Sequence, residues 1–341
     1  PADRVGFWAG LKDALGLRRR LVGVAQVEVT SVCPNKCGYC PRTAQGEHWK
    51  SRHMQPGTFS RLRPLFRESG RVHLQGWGEP LEHPDFLDMV AEAREAGCSV
   101  STTTSGRRMT RDLAEALVES GLDVIAFSLA GATAGTNDSL RAGTPFERVL
   151  ESIRVLQEVR RRRGGVHLEI HIAYLLLASR IGDIGRLPGL MRELGVHATV
   201  VSTLDGSLVP GWRGECFDPE DREKVLEARR ELESAAAQAR SLGLDFHFSL
   251  PEPAPTGSCF EDAERNVFID AEGNMAPCVH LNLPTTPDDP RRRVFGSCLT
   301  GDPMAVWNSE PFAAFRAALA AGCPDISCLN CLKRFTRGNN S

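Results

Sequence analysis

No run of apolar residues in this sequence approaches the length of a membrane span, and its first residues carry no signal-peptide pattern. Those two absences make a cytoplasmic protein with no membrane role the expectation. Charge of either sign is not in excess: 41 Lys and Arg face 43 Asp and Glu, for a formal net charge of −2. That balance leaves no electrostatic case for nucleic acid as a partner. The one basic run, Arg160 to Arg163, closes a segment of helical periodicity, where cations suit the helix dipole. Composition is otherwise ordinary for a globular chain, and 341 residues suffice for one large domain plus a smaller one.

A cysteine is missing as well. Residues 31–40 read SVCPNKCGYC, placing Cys33, Cys37 and Cys40 in a C-x3-C-x2-C run, and the next cysteine is Cys98. Structural zinc sites close with four protein ligands, and four-iron clusters usually take four thiolates. Either a distant ligand completes this site or its fourth position belongs to something that is not protein. Cysteine itself is plentiful: there are eleven, three clustered early and six between 259 and 331. In a chain expected to be cytoplasmic, that clustering points away from disulfides and toward metal or iron–sulfur ligation.

From residue 21 onward strand-like and helix-like segments alternate. Strand patterns fall at 24–30, 71–75, 98–104, 122–130, 166–174 and 197–204, and helical ones near 58–69, 84–96, 110–120, 145–163 and 183–194. The fourth helix has the clearest start, a T-P-x-E capping box of Thr144, Pro145 and Glu147, followed by apolar residues at helical spacing. Such alternation implies a parallel sheet with crossover helices, and six units imply an α/β fold, a partial (β/α)6 TIM-like barrel. Several strands alternate polar with apolar residues, as in Val166 to Ile172, where a packed barrel core would be branched and apolar throughout. The polar face is therefore expected to line an open lumen. Residues 1–20 read as a short amphipathic helix, 21–248 as the barrel, and 249–341 as a small cysteine-rich domain that begins in the proline-rich stretch SLPEPAPTGSC.

The cysteine loop follows the first strand directly, at the face where such folds place active sites. After the second strand comes QGWGEP, residues 75–80, whose glycines allow close backbone approach and whose Glu79, braced by Pro80, could accept hydrogen bonds from an ammonium group. With these two motifs one strand apart, the sequence resembles the radical S-adenosylmethionine (SAM) enzymes over nearly its whole length. The resemblance implies that Cys33, Cys37 and Cys40 hold a [4Fe-4S] cluster whose fourth iron takes the amino and carboxylate groups of SAM. It further implies reductive cleavage of SAM to methionine and a 5′-deoxyadenosyl radical that abstracts a hydrogen atom from substrate. Matched onto this chain, SAM would contact Tyr39, the turn Gly78, Glu79 and Pro80, the TTSG segment with Thr103 and Ser105, Ser128 after the fourth strand, and Arg141 at the SAM carboxylate. The chain departs from the family pattern at Trp77, where a glycine is usual, at Ser105, where asparagine is usual, and after Ser128, where an aspartate is absent.

The C-terminal region carries a second constellation. NVFIDAEGNMAPC reads as a β-hairpin turning at Glu272-Gly273, with Cys278 just beyond it, Cys259 upstream, and the CLNC pair Cys328 and Cys331 downstream. Four thiolates so spaced make a closed metal site. The pattern resembles the SPASM/twitch extension of radical SAM enzymes; with no cysteine after Cys331, the shorter twitch form is expected. The resemblance implies one auxiliary [4Fe-4S] cluster on Cys259, Cys278, Cys328 and Cys331, with Cys323 or Cys298 as alternative ligands. Candidate substrate residues are His171 and Glu169, on the polar face of the fifth strand, and Cys216, in the loop after the sixth. An electron donor such as flavodoxin or ferredoxin is implied, with a small molecule, peptide or protein as substrate. About twenty residues precede the first strand, too few for a leader-binding domain, so a leader-guided peptide would need a separate recognition protein. The competing reading is a structural or electron-transfer protein that binds zinc or iron–sulfur without SAM, with His48 or His53 completing the first cysteine set.

Overall fold

The computed structural model describes residues 20–205, 209, 211–255, 258–283 and 292–339. The helix expected over 1–20 lies outside them except for Arg20. Six strands, β1 (Ala25–Val27), β2 (Arg71–Leu74), β3 (Ser99–Thr104), β4 (Val124–Leu129), β5 (Glu169–Leu176) and β6 (Ala198–Thr203), lie side by side, all parallel. Helices α1 (Arg63–Ser69), α2 (Phe86–Glu95), α3 (Arg111–Glu119), α4 (Phe146–Arg163) and α5 (Leu187–Leu194) connect them, and α6 (Arg222–Ser241) follows β6. The expected α/β architecture and its six units are present.

The strand alternation builds two environments. On β5, Ile170, Ile172, Tyr174 and Leu176 are buried against the helices, where Ile153, Leu156 and Met191 meet them in one continuous apolar core. Each such side chain contributes about 1.5–3 kcal/mol on burial. Ala173 and Leu175, on the opposite face of β5, line an interior cavity.

Two edges depart from expectation. A seventh parallel strand, β7 (Asp245–Pro251), pairs with β6, so the boundary drawn at 248/249 falls inside a strand. At the other edge β8 (Val267–Ile269) pairs parallel with β1 and turns through a tight hairpin into β9 (Asn274–Ala276). The strands β10 (Gly296–Ser297) and β11 (Thr336–Gly338) extend these edges, β11 antiparallel to β7. The cysteine-rich segment thus continues the ladder of the barrel at both ends of an 11-stranded sheet. The hairpin turn at Gly273, with φ of +82°, is the one expected. The capping box at α4 is not formed. Thr144 Oγ1 instead donates to Asn35 Oδ1 in the cysteine loop at 2.9 Å, and Asp138 Oδ1 accepts from the Phe146 N–H at 2.6 Å. A side-chain partner in the neighbouring loop takes the hydroxyl that would have capped the helix.

Candidate active site

The loop after β1 is tied down before it delivers its cysteines. The Trp49 indole N–H donates to the Ser31 carbonyl at 3.1 Å, and Ser31 Oγ accepts from the Arg52 N–H at 3.0 Å. Residues Lys36–Cys37 then pair antiparallel with Arg141–Ala142, which sets Arg141 beside Cys37. Cys40 starts the short helix Pro41–Gln45. All three cysteines are half-buried and line one cavity of about 530 Å³ at the C-terminal ends of the strands. Burial pushes the Cys33 thiol up to about 11, with the charges of Glu79 and Cys37 adding to the effect. Burial raises Cys40 as well, and Cys37 adds to it. Thiols so placed hold their protons unless a metal centre replaces them.

The turn after β2 faces them. The Glu79 N–H donates to the Val32 carbonyl at 2.8 Å, which presses the turn onto the cysteine loop. Gly78 is required there: a Cβ would stand 2.0 Å from the Thr30 carbonyl oxygen. The buried Glu79 carboxylate accepts from Thr104 Oγ1 at 2.6 Å and from the Ser105 N–H at 2.7 Å. Pro80 is buried and opens the following 3₁₀ turn, while Gly78, Thr103, Ser105 and Ser128 line the cavity. Arg141 is buried; its Nη1 donates to Tyr39 Oη at 2.7 Å, and its Nε has no partner. Two other cavity-lining residues carry a buried atom without a partner: Trp77 at Nε1 and His280 at Nδ1. Orphaned polar atoms converging on one cavity mark a place built for a polar ligand. A cationic guanidinium on one side and an anionic carboxylate on the other suit a group carrying both charges, and three thiols suit a metal cluster with one position left open. The residues present fit both groups.

The four C-terminal cysteines expected to act together, Cys259, Cys278, Cys328 and Cys331, line a second, small pocket walled by Leu281 and Leu319. Burial raises all four thiols, Cys328 to about 11 and Cys331 to about 12. Cys298 is buried elsewhere, beneath the β8–β9 turn, and Cys323 is exposed; neither lines this pocket. Among the described residues no three His, Cys, Asp or Glu groups converge as ligands of a single metal ion do. His53 stacks edge-on against His83, their centroids 5.1 Å apart, and neither His48 nor His53 lines the cavity.

Three candidates stand elsewhere than expected. His171 Nε2 and Glu169 Oε2 are 2.9 Å apart and pair with each other, and neither lines the cavity. They share the lumen face of β5 but lie toward its N-terminal end; Ala173 and Leu175, further along, reach the site. Cys216 is buried behind it, packed with Ala130, Leu140, Leu177 and Leu204, its Sγ 3.5 Å from the Trp212 carbonyl oxygen. In exchange, the sequence reading passed over Glu261, His280 and Lys333, which line both the cavity and the cysteine pocket. Lys333 Nζ is 3.1 Å and His280 Nε2 3.4 Å from Glu261 Oε1. Burial opposes ionisation of Glu261, yet Lys333 and His280 together hold its carboxyl below the usual range. The signal was present: Cys259, Cys278 and Cys331 are each followed, two residues on, by one of the three.

Comparison with known proteins agrees with this geometry. The family model described as the radical SAM superfamily matches residues 27–173, and one described as an iron–sulfur cluster-binding domain (SPASM) matches 259–332. A tungsten-containing aldehyde ferredoxin oxidoreductase cofactor-modifying protein of Pyrococcus furiosus is 26% identical over 52% of this chain, and the match spans half of that relative's length. A PqqA peptide cyclase of Ruegeria pomeroyi is 28% identical over 79% of this chain and 72% of its own. Among solved structures, Streptococcus suis SuiB bound to S-adenosylmethionine superposes with a TM-score of 0.68 at 18% identity, over 93% of this chain and 72% of SuiB. Native anSMEcpe with bound AdoMet superposes at 0.66 and 14% identity, over 87% of this chain and 84% of its own.

Proposed function

The chain belongs to the radical SAM superfamily and carries its SPASM-type iron–sulfur segment, and on that premise we propose an enzyme that cleaves S-adenosylmethionine reductively to abstract a hydrogen atom from a substrate. One observation carries the reading: three half-buried thiols, the Glu79 carboxylate and an incompletely partnered, buried Arg141 face one cavity. When bound, a [4Fe-4S] cluster and SAM supply cleavage to methionine and a 5′-deoxyadenosyl radical, the species that takes hydrogen from the substrate.

Cys33, Cys37 and Cys40 would hold the cluster. Arg141, steadied by Tyr39, binds the carboxylate of SAM, and Glu79, fixed by Thr104 and Ser105, accepts from its ammonium group. Both partners are desolvated, which strengthens each charge-assisted bond. The Gly78 turn, Pro80, Thr103, Ser105 and Ser128 shape the wall against the nucleoside. Cys259, Cys278, Cys328 and Cys331 hold an auxiliary [4Fe-4S] cluster in an apolar shell of Leu281, Phe315 and Leu319. The substrate is a peptide; the PqqA peptide cyclase relative and a SuiB structure bound to its precursor peptide SuiA support that class. A small flavodoxin- or ferredoxin-like protein supplies the electron. The test is electron paramagnetic resonance of the anaerobically reconstituted, dithionite-reduced protein. SAM is expected to change the signal of one cluster, and Cys37→Ala to abolish that change; a spectrum indifferent to SAM overturns the proposal.

A further inference from the structure

The wall of the cavity toward the C-terminal cysteines is built unlike the SAM-facing wall. Trp77 stands where the family motif has a glycine, and it lines that side of the cavity. The Trp77 N–H donates to Glu28 Oε1 at 2.7 Å, which locks the backbone of the turn. The indole meets the His280 ring edge-on, with centroids 6.1 Å apart at 73°. Trp77 Nε1 and His280 Nδ1 are both buried and both without partners. An indole N–H can only donate, so its missing partner is an acceptor.

The charges on this wall indicate which acceptor. Glu261 and Lys333 are paired at 3.1 Å and neutralise one another, and Asp205 adds a further carboxylate to the cavity lining. A carboxylate or phosphate would meet no uncommitted cation here, whereas a neutral oxygen satisfies the indole without importing charge. The His280 ring meets Glu261 through Nε2, which leaves Nδ1 as its unpartnered nitrogen in a residue that lines the same cavity.

We propose that Trp77 and His280 form the recognition site for a neutral oxygen function of the substrate, a hydroxyl or an amide carbonyl, and that this site turns the carbon bearing it toward the SAM side of the cavity. The inference rests on the proposed radical SAM function, so the test separates the two. Anaerobic reconstituted holoenzyme with SAM and dithionite is given perdeuterated ethylene glycol or perdeuterated N-methylacetamide, with perdeuterated acetate as the charged control. Deuterium in 5′-deoxyadenosine then reports transfer of one deuterium atom from probe carbon to the nucleoside, leaving a carbon radical on the probe. Both neutral probes are expected to saturate the transfer in the wild type, with the half-saturating concentration raised roughly three- to tenfold in Trp77→Phe, as loss of one hydrogen bond implies. Iron content checks that the variant is intact, and His280→Gln, which removes Nδ1 while keeping a donor toward Glu261, is expected to shift the same concentration. Equal half-saturation in wild type and both variants overturns the recognition site, as does acetate matching the neutral probes. Absence of any 5′-deoxyadenosine instead overturns the parent function.

Discussion

Gly78→Ala places a methyl group where the backbone of the cysteine loop already runs. Its Cβ would stand 2.0 Å from the Thr30 carbonyl oxygen, 2.7 Å from the Thr30 carbonyl carbon and 2.9 Å from Ser31 Cα. None of these atoms is the end of a flexible side chain, so the turn must lift by about an ångström or more. Overpacking of that kind costs about 1–3 kcal/mol, and stretching the bond from the Glu79 N–H to the Val32 carbonyl adds about 1 kcal/mol. The same movement draws Glu79 away from Thr104 Oγ1 and the Ser105 N–H. A misplaced charge-assisted contact weakens a ligand by about 1.5–3 kcal/mol, or roughly ten- to a hundredfold in affinity. Thermal unfolding of the anaerobic holoprotein reads the first effect, and equilibrium dialysis against labelled SAM the second. Gly189→Ala is the control: it lies inside α5, and its added Cβ meets nothing within 4 Å. That change is expected to stabilise by about 0.5–1 kcal/mol through helix propensity. A Gly78→Ala protein with wild-type stability and SAM affinity would refute the close-approach reasoning, as would equal destabilisation by the control.

Glu28 lies buried beneath the same turn, its carboxyl pushed up from 4.5 to about 7 by burial, with backbone N–H groups pulling it down and Asp270 adding to the rise. Because its folded value exceeds its unfolded one, its contribution is fully present below 4.5 and is lost as pH rises toward 7. The loss is on the order of 3 kcal/mol. Glu28→Gln is expected to flatten that fall in stability, and an unchanged slope in denaturation across the window would contradict the assignment. Arg141→Gln should weaken SAM binding by about tenfold or more, since it removes a buried cation from the carboxylate, with iron content unchanged; equilibrium dialysis and iron assay decide. His171→Ala should leave SAM cleavage within about twofold of wild type, because the ring pairs with Glu169 outside the cavity.

The six parallel strands were legible because their alternation survives in the sequence, from Val27 and Val29 on the first to the isoleucines of the fifth. β7 was not. Its last three residues, Ser249, Leu250 and Pro251, are buried and paired, yet Pro251, Pro253 and Pro255 give the stretch the composition of a linker. Period-two alternation assigned Glu169 and His171 to the correct face, but a face says nothing of height. At about 3.3 Å per residue the cavity begins further along the strand, at Ala173. The cap at α4 failed for a related reason: Thr144 had a tertiary partner, Asn35, which no local pattern encodes. Motif spacing placed the first cysteine set together because one short loop leaves its thiols little freedom, whereas the second, spread from Cys259 to Cys331, was grouped by its resemblance to the SPASM/twitch pattern. Glu261, His280 and Lys333 escaped because three residues scattered over 73 positions become a cluster only when the cysteines beside them close a pocket.

The most direct test of the central claim is anaerobic. The protein is reconstituted with iron and sulfide, reduced with dithionite in the presence of SAM, and assayed for 5′-deoxyadenosine beside Cys40→Ala. The expected result is about eight irons per chain, from two four-iron clusters, with the nucleoside formed by the wild type and absent from the variant. Zinc in place of iron, or a full iron complement with no 5′-deoxyadenosine, would contradict it.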